Sequence, residues 1–205
     1  MIRAEGVKKF YGKQQVLENI NLNVGKGEWI CFYGTSGCGK TTLISTLAGV
    51  CSPDSGSVAL GSERVGFVFQ DDRLLDWKTA EENILLALRS YYDNKTAMER
   101  AVHWLDAVGL YECRFKKPGE MSGGMKRRLN IARCLSIEPD ILFLDEPFAF
   151  LDSGNIEKIR GRVSEAVLER GATVFMVTHS LEELNGIDYR LVNLDECTLP
   201  LVLDL

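Results

Sequence analysis

Eight residues, Gly34-Thr35-Ser36-Gly37-Cys38-Gly39-Lys40-Thr41, carry the pattern G-x-x-x-x-G-K-[ST] in full. Glycines let the backbone curl until successive amides point at one phosphate, a path that side chains would obstruct. Lys40 supplies a compact charge for β- and γ-phosphates, Thr41 offers a hydroxyl to Mg²⁺, and Thr42 follows on the same helix start. A helix carrying Leu43, Ile44 and Leu47 then aims its positive end at the same point. A chance glycine-rich turn has no need of an apolar strand before it and an apolar helix after it, and both are present. The spacing predicts a nucleotide site.

A second group of chemical residues closes a short apolar run. Residues 141–144 (Ile-Leu-Phe-Leu) read as a buried strand, and Asp145 and Glu146 follow directly. Ligands of parallel sheets sit beyond the carboxyl ends of the strands, so both acids are expected to face the phosphate loop's crevice. Asp145 suits a hard cation such as Mg²⁺, which takes oxygen ligands. Glu146 is then placed to orient or deprotonate an attacking water. Without the phosphate loop the same pair reads equally well as an exposed acidic turn.

Those residues need a scaffold. The chain has 205 residues, enough for one compact domain with a small insertion. Apolar residues at 45% and charged residues at 26% exclude disordered and fibrous classes. A net charge of -5 argues against a nucleic-acid partner. No run approaches the roughly 20 apolar residues that span a bilayer, and the N-terminal residues lack the form of a secretory signal. Six cysteines (Cys31, Cys38, Cys51, Cys113, Cys134, Cys197) show no C-x-x-C pair. They are expected to be free thiols in a reducing cytoplasm.

Periodicity gives strands at residues 2–7, 16–24, 29–33, 58–60 and 65–69, then a helical stretch from about 71 to 137. In the second strand Val16, Ile20, Leu22 and Val24 alternate with Leu17, Asn19, Asn21 and Asn23. Thr79-x-x-Glu82 and Thr96-x-x-Glu99 both have the capping-box form that starts helices. After the strand at 141–144 come a helix at 156–168, stopped by Gly171, and a strand at 173–178. The fold class is α/β: a phosphate-loop core with a parallel sheet at 1–70 and 138–205, carrying an N-terminal antiparallel β subdomain. Residues 71–137 form an inserted helical subdomain.

The ordered set of motifs resembles an ATP-binding cassette (ABC) ATPase along almost the whole chain. Glu146 after the strand aspartate is one mark. Met121-Ser122-Gly123-Gly124-Met125 is similar to the family signature L-S-G-G-Q and precedes a basic helix at 125–135 containing Lys126, Arg127 and Arg128. Gln70, closing the strand at 65–69, resembles the family's Q-loop glutamine, a catalytic and metal-contacting residue. Leu151-Asp152 resembles its D-loop, and His179, after the strand at 173–178, its switch histidine. Tyr11 stands where the family places a ring against adenine, although Phe10 is adjacent. The resemblance implies ATP and Mg²⁺ held by Tyr11, residues 34–42, Asp145 and Gln70. It also implies that Ser122, Gly123, Gly124 and Asp152 of a second copy close over the nucleotide in a head-to-tail dimer.

Ser122 also reads simply as a helix cap, His103 as a structural or surface residue, and Cys38 as a small residue that fits its loop. A reactive Cys38, activated by Lys40 and a helix start, is the alternative. Met125 replaces the signature glutamine and Met121 its leucine; the first of these and the segment 68–79 (VFQDDRLLDWKT) resemble importer ATPases of the nitrate, sulfonate and taurine kind, with Asp76 where proline is usual. That resemblance implies an ATPase subunit in the cytoplasm, bound at the membrane's inner face to integral permease subunits. An extracytoplasmic solute-binding protein is then an indirect partner. Leu74, Leu75 and Trp77 either form the permease docking groove or fill the helical subdomain's own core. An exporter subunit, a soluble cassette that switches a cytosolic partner, and a weakly hydrolysing module with Met125 are the rival readings.

Overall fold

The computed structural model describes residues 1–195 and 200–205, so Cys197 and Leu199 lie outside the described residues. Five strands form one wholly parallel sheet: β3 (Trp29–Tyr33), β5 (Val65–Val68), β6 (Ile141–Asp145), β7 (Thr173–Thr178) and β8 (Arg190–Asn193), in the order β5-β6-β7-β3-β8. β6 and β7 are buried at every residue, which is why they read as continuous apolar runs rather than alternating ones. Phe67, Phe143, Phe175 and Phe32 stack across four neighbouring strands on one face, with centroids 5.9, 5.1 and 6.2 Å apart.

A second sheet, in the order β4-β1-β2-β9, covers that aromatic face together with α1 (Lys40–Leu47). Its strands are β1 (Ile2–Tyr11), β2 (Gln14–Val24), β4 (Ser55–Leu60) and β9 (Leu201–Asp204). β1 runs antiparallel to β2 and β4, as expected, but β9 joins β2 in parallel, so the sheet is mixed. The alternation expected in β2 slips. Leu17 is fully buried and Val16 only half-buried, because β1 and β2 change register between Lys9 and Val7.

The opposite face of the parallel sheet packs against α2 (Ala80–Leu88), α3 (Asn94–Ala107), α4 (Gly123–Ser136) and α5 (Ser153–Arg170). α2 starts with the expected capping box: Glu82 N donates to Thr79 Oγ1 at 3.2 Å and Thr79 N donates to Glu82 at 2.9 Å. Thr79→Ala is expected to cost about 1 kcal/mol, read as a lower urea midpoint at unchanged slope; an unmoved midpoint would deny the cap its role. The second expected box does not form. Asp93 caps α3, accepting from the amides of Lys95 and Thr96, and Thr96 lies inside the helix. Gly171 ends α5 at φ 62, the left-handed stop expected of it.

Candidate functional site

Register brings the strand ends to one level. Tyr33 pairs with Thr178, Asp145 with Val177, and Val68 with Leu144. The residues that leave the sheet there (Gly34, His179, Glu146 and the loop carrying Gln70) therefore emerge along one edge. β5 ends at Val68, two residues before Gln70, so this glutamine sits within a loop rather than closing the strand. A cleft of about 230 Å³ opens on this edge, lined by Tyr11, Ser36, Gly37, Gly39, Lys40, Thr41, Thr42, Gln70 and Glu146, with Val16 beside them. Phe10 is not among its lining residues.

Gly37 and Gly39 stand at φ 87 and 95, left-handed conformations that a side chain would strain. A Cβ on Gly39 would also come within 3.1 Å of both Val16 and Leu201. Gly39 caps α1 without a side-chain hydrogen bond, which leaves the amides at the helix start facing the cleft. Lys40 is buried, and its Nζ donates to the carbonyls of Gly34 (2.6 Å) and Thr35 (2.7 Å). Cys38 is buried too, its Sγ 4.0 Å from that ammonium.

Asp145 is almost wholly buried, and Oδ1 has no hydrogen-bond partner. Burial pushes its carboxyl above the ordinary aspartate range, with the Thr41 hydroxyl beside it pulling the other way. An orphaned, buried carboxylate oxygen next to a threonine hydroxyl is a donor set suited to Mg²⁺. Glu146 turns out of β6 at φ 47, anchored by its amide on Val177 O at 2.9 Å. Its Oε1 lies 3.4 Å from Nδ1 of the exposed His179. Behind them Thr178 Oγ1 donates 2.7 Å to Glu183, a carboxyl raised by burial.

Ser122, Gly123, Gly124 and Asp152 do not line this cleft. Ser122 caps α4, accepting from Met125 N at 3.3 Å, and leaves the first amides of that helix outward. Asp152 caps α5 through Asn155 N at 2.9 Å. Phe150, which sequence reasoning passed over, lies at φ 66 and is 79% exposed. It lies against the signature glycines: a Cβ on Gly124 would stand 3.1 Å from Phe150 O.

The sequence model of the ABC transporter family matches residues 17–149, and one of an AAA domain matches residues 117–185. The bicarbonate transport ATP-binding protein CmpD of Synechocystis sp. is 42% identical over 92% of this chain and 72% of its own length. The chain belongs to the ABC transporter family. It is an ATPase. The nitrate import ATP-binding protein NrtD of Synechococcus elongatus is also 42% identical, over 84% of this chain and 66% of its own. For the taurine import ATP-binding protein TauB of Roseobacter denitrificans the figures are 37%, 87% and 69%. A dimeric ATP-binding cassette solved after hydrolysis with ADP and Pi superposes with a TM-score of 0.84 at 31% identity, covering 89% of this chain and 90% of that one.

Two further groups of this ABC ATPase bear on the cleft. Asp195 accepts from both the amide (2.7 Å) and the hydroxyl (2.8 Å) of Thr35, bracing the phosphate loop from the far end of the chain. Nothing local in the sequence signals a contact 160 residues away. On the helical side, Leu74 packs into the core, Leu75 is half-buried, and Trp77 is 69% exposed. Of the three, Trp77 alone is exposed. Backbone bonds from Ala80 and Glu81 to Lys116 and Arg114 bring exposed Phe115 to the same end of α2. Among the described residues, no helix is long and apolar enough to cross a membrane.

Proposed function

We propose that this ATPase energises import of a small solute, two copies enclosing two ATP head to tail beneath integral permease subunits. The observation that carries the reading is the division of anion sites. Lys40, Gln70 and Glu146 share one cleft, while the Ser122-capped helix start opens elsewhere. A single copy cannot use both helix starts on one nucleotide; a pair in head-to-tail order can. Core and helical subdomain divide at about residues 70 and 138.

In this reading residues 34–42 wrap the phosphates, with Lys40 on the β- and γ-phosphates and Tyr11 against adenine. Ser122, Gly123 and Gly124 of the other copy cover the γ-phosphate, with Asp152 nearby. Thr41, Asp145 and Gln70 would hold Mg²⁺, which when bound would neutralise charge on the phosphates. Glu146 takes the proton of the attacking water, and His179 donates a hydrogen bond to the γ-phosphate. Enclosure between two copies excludes bulk water and strengthens each of these contacts.

Trp77 and Phe115, at the start of α2, supply aromatic anchors for an amphipathic permease segment. The protein then lies on the cytoplasmic face of the membrane, and an extracytoplasmic solute-binding protein presents the solute. The relatives named for bicarbonate, nitrate and taurine support a small solute bearing an oxyanion group. Affinity purification from its own cells, in mild detergent, is expected to retain integral membrane subunits, and Trp77→Ala is expected to lose them. Retention of soluble proteins alone would overturn the transport reading.

A further inference from the structure

Arg127, five residues past Ser122 on α4, has no exposed surface and stands where three segments of the reaction centre meet. Its Nη1 donates to the carbonyl of Phe69 and lies 3.4 Å from Asp72 Oδ1. Its Nη2 donates to the carbonyl of Asp145 at 3.2 Å and to that of Glu146. One nitrogen thus holds the loop around Gln70, and the other holds the turn of the two acids from behind. Six residues along, Arg133 donates to the carbonyls of Asp72 (3.1 Å) and Arg73 (2.9 Å), and Asn130 between them accepts from Arg133 at 3.0 Å. Positions 127, 130 and 133 are three apart, so α4 grips residues 69–73 along one stripe.

A buried guanidinium is unfavourable unless it is paired, and the half-buried Asp72 is its nearest carboxylate partner. Burial accordingly lowers the pKa of Arg127 and raises that of Asp72. We propose that Arg127 is a positioning residue that couples the Gln70 loop to the turn carrying Glu146, through the two nitrogens of one planar group. The proposal rests on Glu146 being the base. Glu146 occupies a left-handed backbone conformation that neighbouring contacts must hold. The Nη2 bonds grip the carbonyls of the two peptides that flank Glu146, while Glu146 N is fixed to Val177 O. Because the guanidinium is rigid, a shift of Phe69 or Asp72 moves the edge that holds the acids. Glu146 is therefore aimed only while the loop is seated. A lysine ammonium carries equal charge but lacks the fork that spans the two segments.

Steady-state ATP hydrolysis by the full chain tests this. Arg127→Lys is expected to lower kcat by roughly tenfold to a hundredfold, the scale of a reacting group displaced by about an ångström, while KM for ATP stays within about twofold. Added to Glu146→Gln, it is expected to cause no further loss, because both changes act on one step. Asp72→Asn, which leaves the helix unaltered, is expected to lower kcat in the same direction by a smaller factor, and it decides the matter should Arg127→Lys not fold. An unchanged kcat in Arg127→Lys, or in Asp72→Asn when it alone folds, overturns the coupling. A rise in KM in place of a fall in kcat does so too, as do losses that multiply with Glu146→Gln. A normal turnover in Glu146→Gln rejects the base assignment and the coupling together; a slow Glu146→Gln beside a normal Arg127→Lys rejects the coupling alone.

Discussion

Glu146→Gln is expected to bind ATP with an affinity close to that of the native protein, yet to hydrolyse it on the order of 10²–10⁴ times more slowly, the range for loss of a general base. Such a loss corresponds to about 2.7–5.5 kcal/mol of transition-state stabilisation. Glutamine keeps the volume of the side chain and an acceptor oxygen toward His179, now 3.4 Å from Oε1. The backbone at φ 47 and the bond from Glu146 N to Val177 O do not involve the side chain, so the turn keeps its shape. What disappears is the capacity to take a proton from water. Because binding is left intact and the exit by hydrolysis is blocked, the variant should accumulate as an ATP-bound dimer. Light scattering in the presence of ATP and magnesium would show a doubled mass. Native turnover would reject the base assignment; slow turnover with a persistent monomer would reject the two-copy enclosure.

Much of the scaffold could be read from local pattern because local physics decides it. β7 was expected at residues 173–178 and occupies them, since six buried apolar and threonine residues between a glycine stop and a histidine leave few alternatives. The cap at Thr79 depends on two side chains three residues apart. At Thr96 the same spacing misleads, because Asp93 lies three residues upstream and its carboxylate reaches the amides of Lys95 and Thr96 first. β1 and β2 extend beyond the expected ends through residues such as Lys8 and Gln14, polar and exposed on paired strands, which give periodicity no apolar signal. The parallel pairing of β9 with β2 is a contact between chain ends, which no window of periodicity contains.

The cleft shows the same division. The motifs name Lys40, Gln70, Glu146 and His179, and strand register alone carries them to one edge. The groups that brace them were not legible. Arg127 stands in a run of three basic residues that reads as a solvated helix face, yet it is the residue turned wholly inward. Its partners are mostly backbone carbonyls, which exist at every position and leave no mark on residue type. Phe150 is hidden differently: a bulky residue at positive φ offers no compositional signal, and only the conformation reveals that it lies against the signature glycines.

Lys40→Ala is expected to abolish useful ATP binding itself. A hydrogen bond to a charged group contributes about 1.5–3 kcal/mol, and Lys40 is the ammonium proposed to meet two phosphates, so a loss on the order of a hundredfold or more in affinity is expected. The same ammonium now satisfies the carbonyls of Gly34 and Thr35 at 2.6 and 2.7 Å, so truncation also frees the loop it helps to shape. Asp195 still fixes Thr35 through its amide and hydroxyl. The fold should therefore survive, and the defect should lie in nucleotide recognition. Thermal unfolding separates the two effects. ATP is expected to raise the native midpoint by mass action and to leave that of Lys40→Ala unmoved at the same concentration. A variant that melts early without ATP but is stabilised by ATP as fully as the native protein would show that Lys40 serves the loop and not the nucleotide, and would reject its role as the phosphate-binding cation.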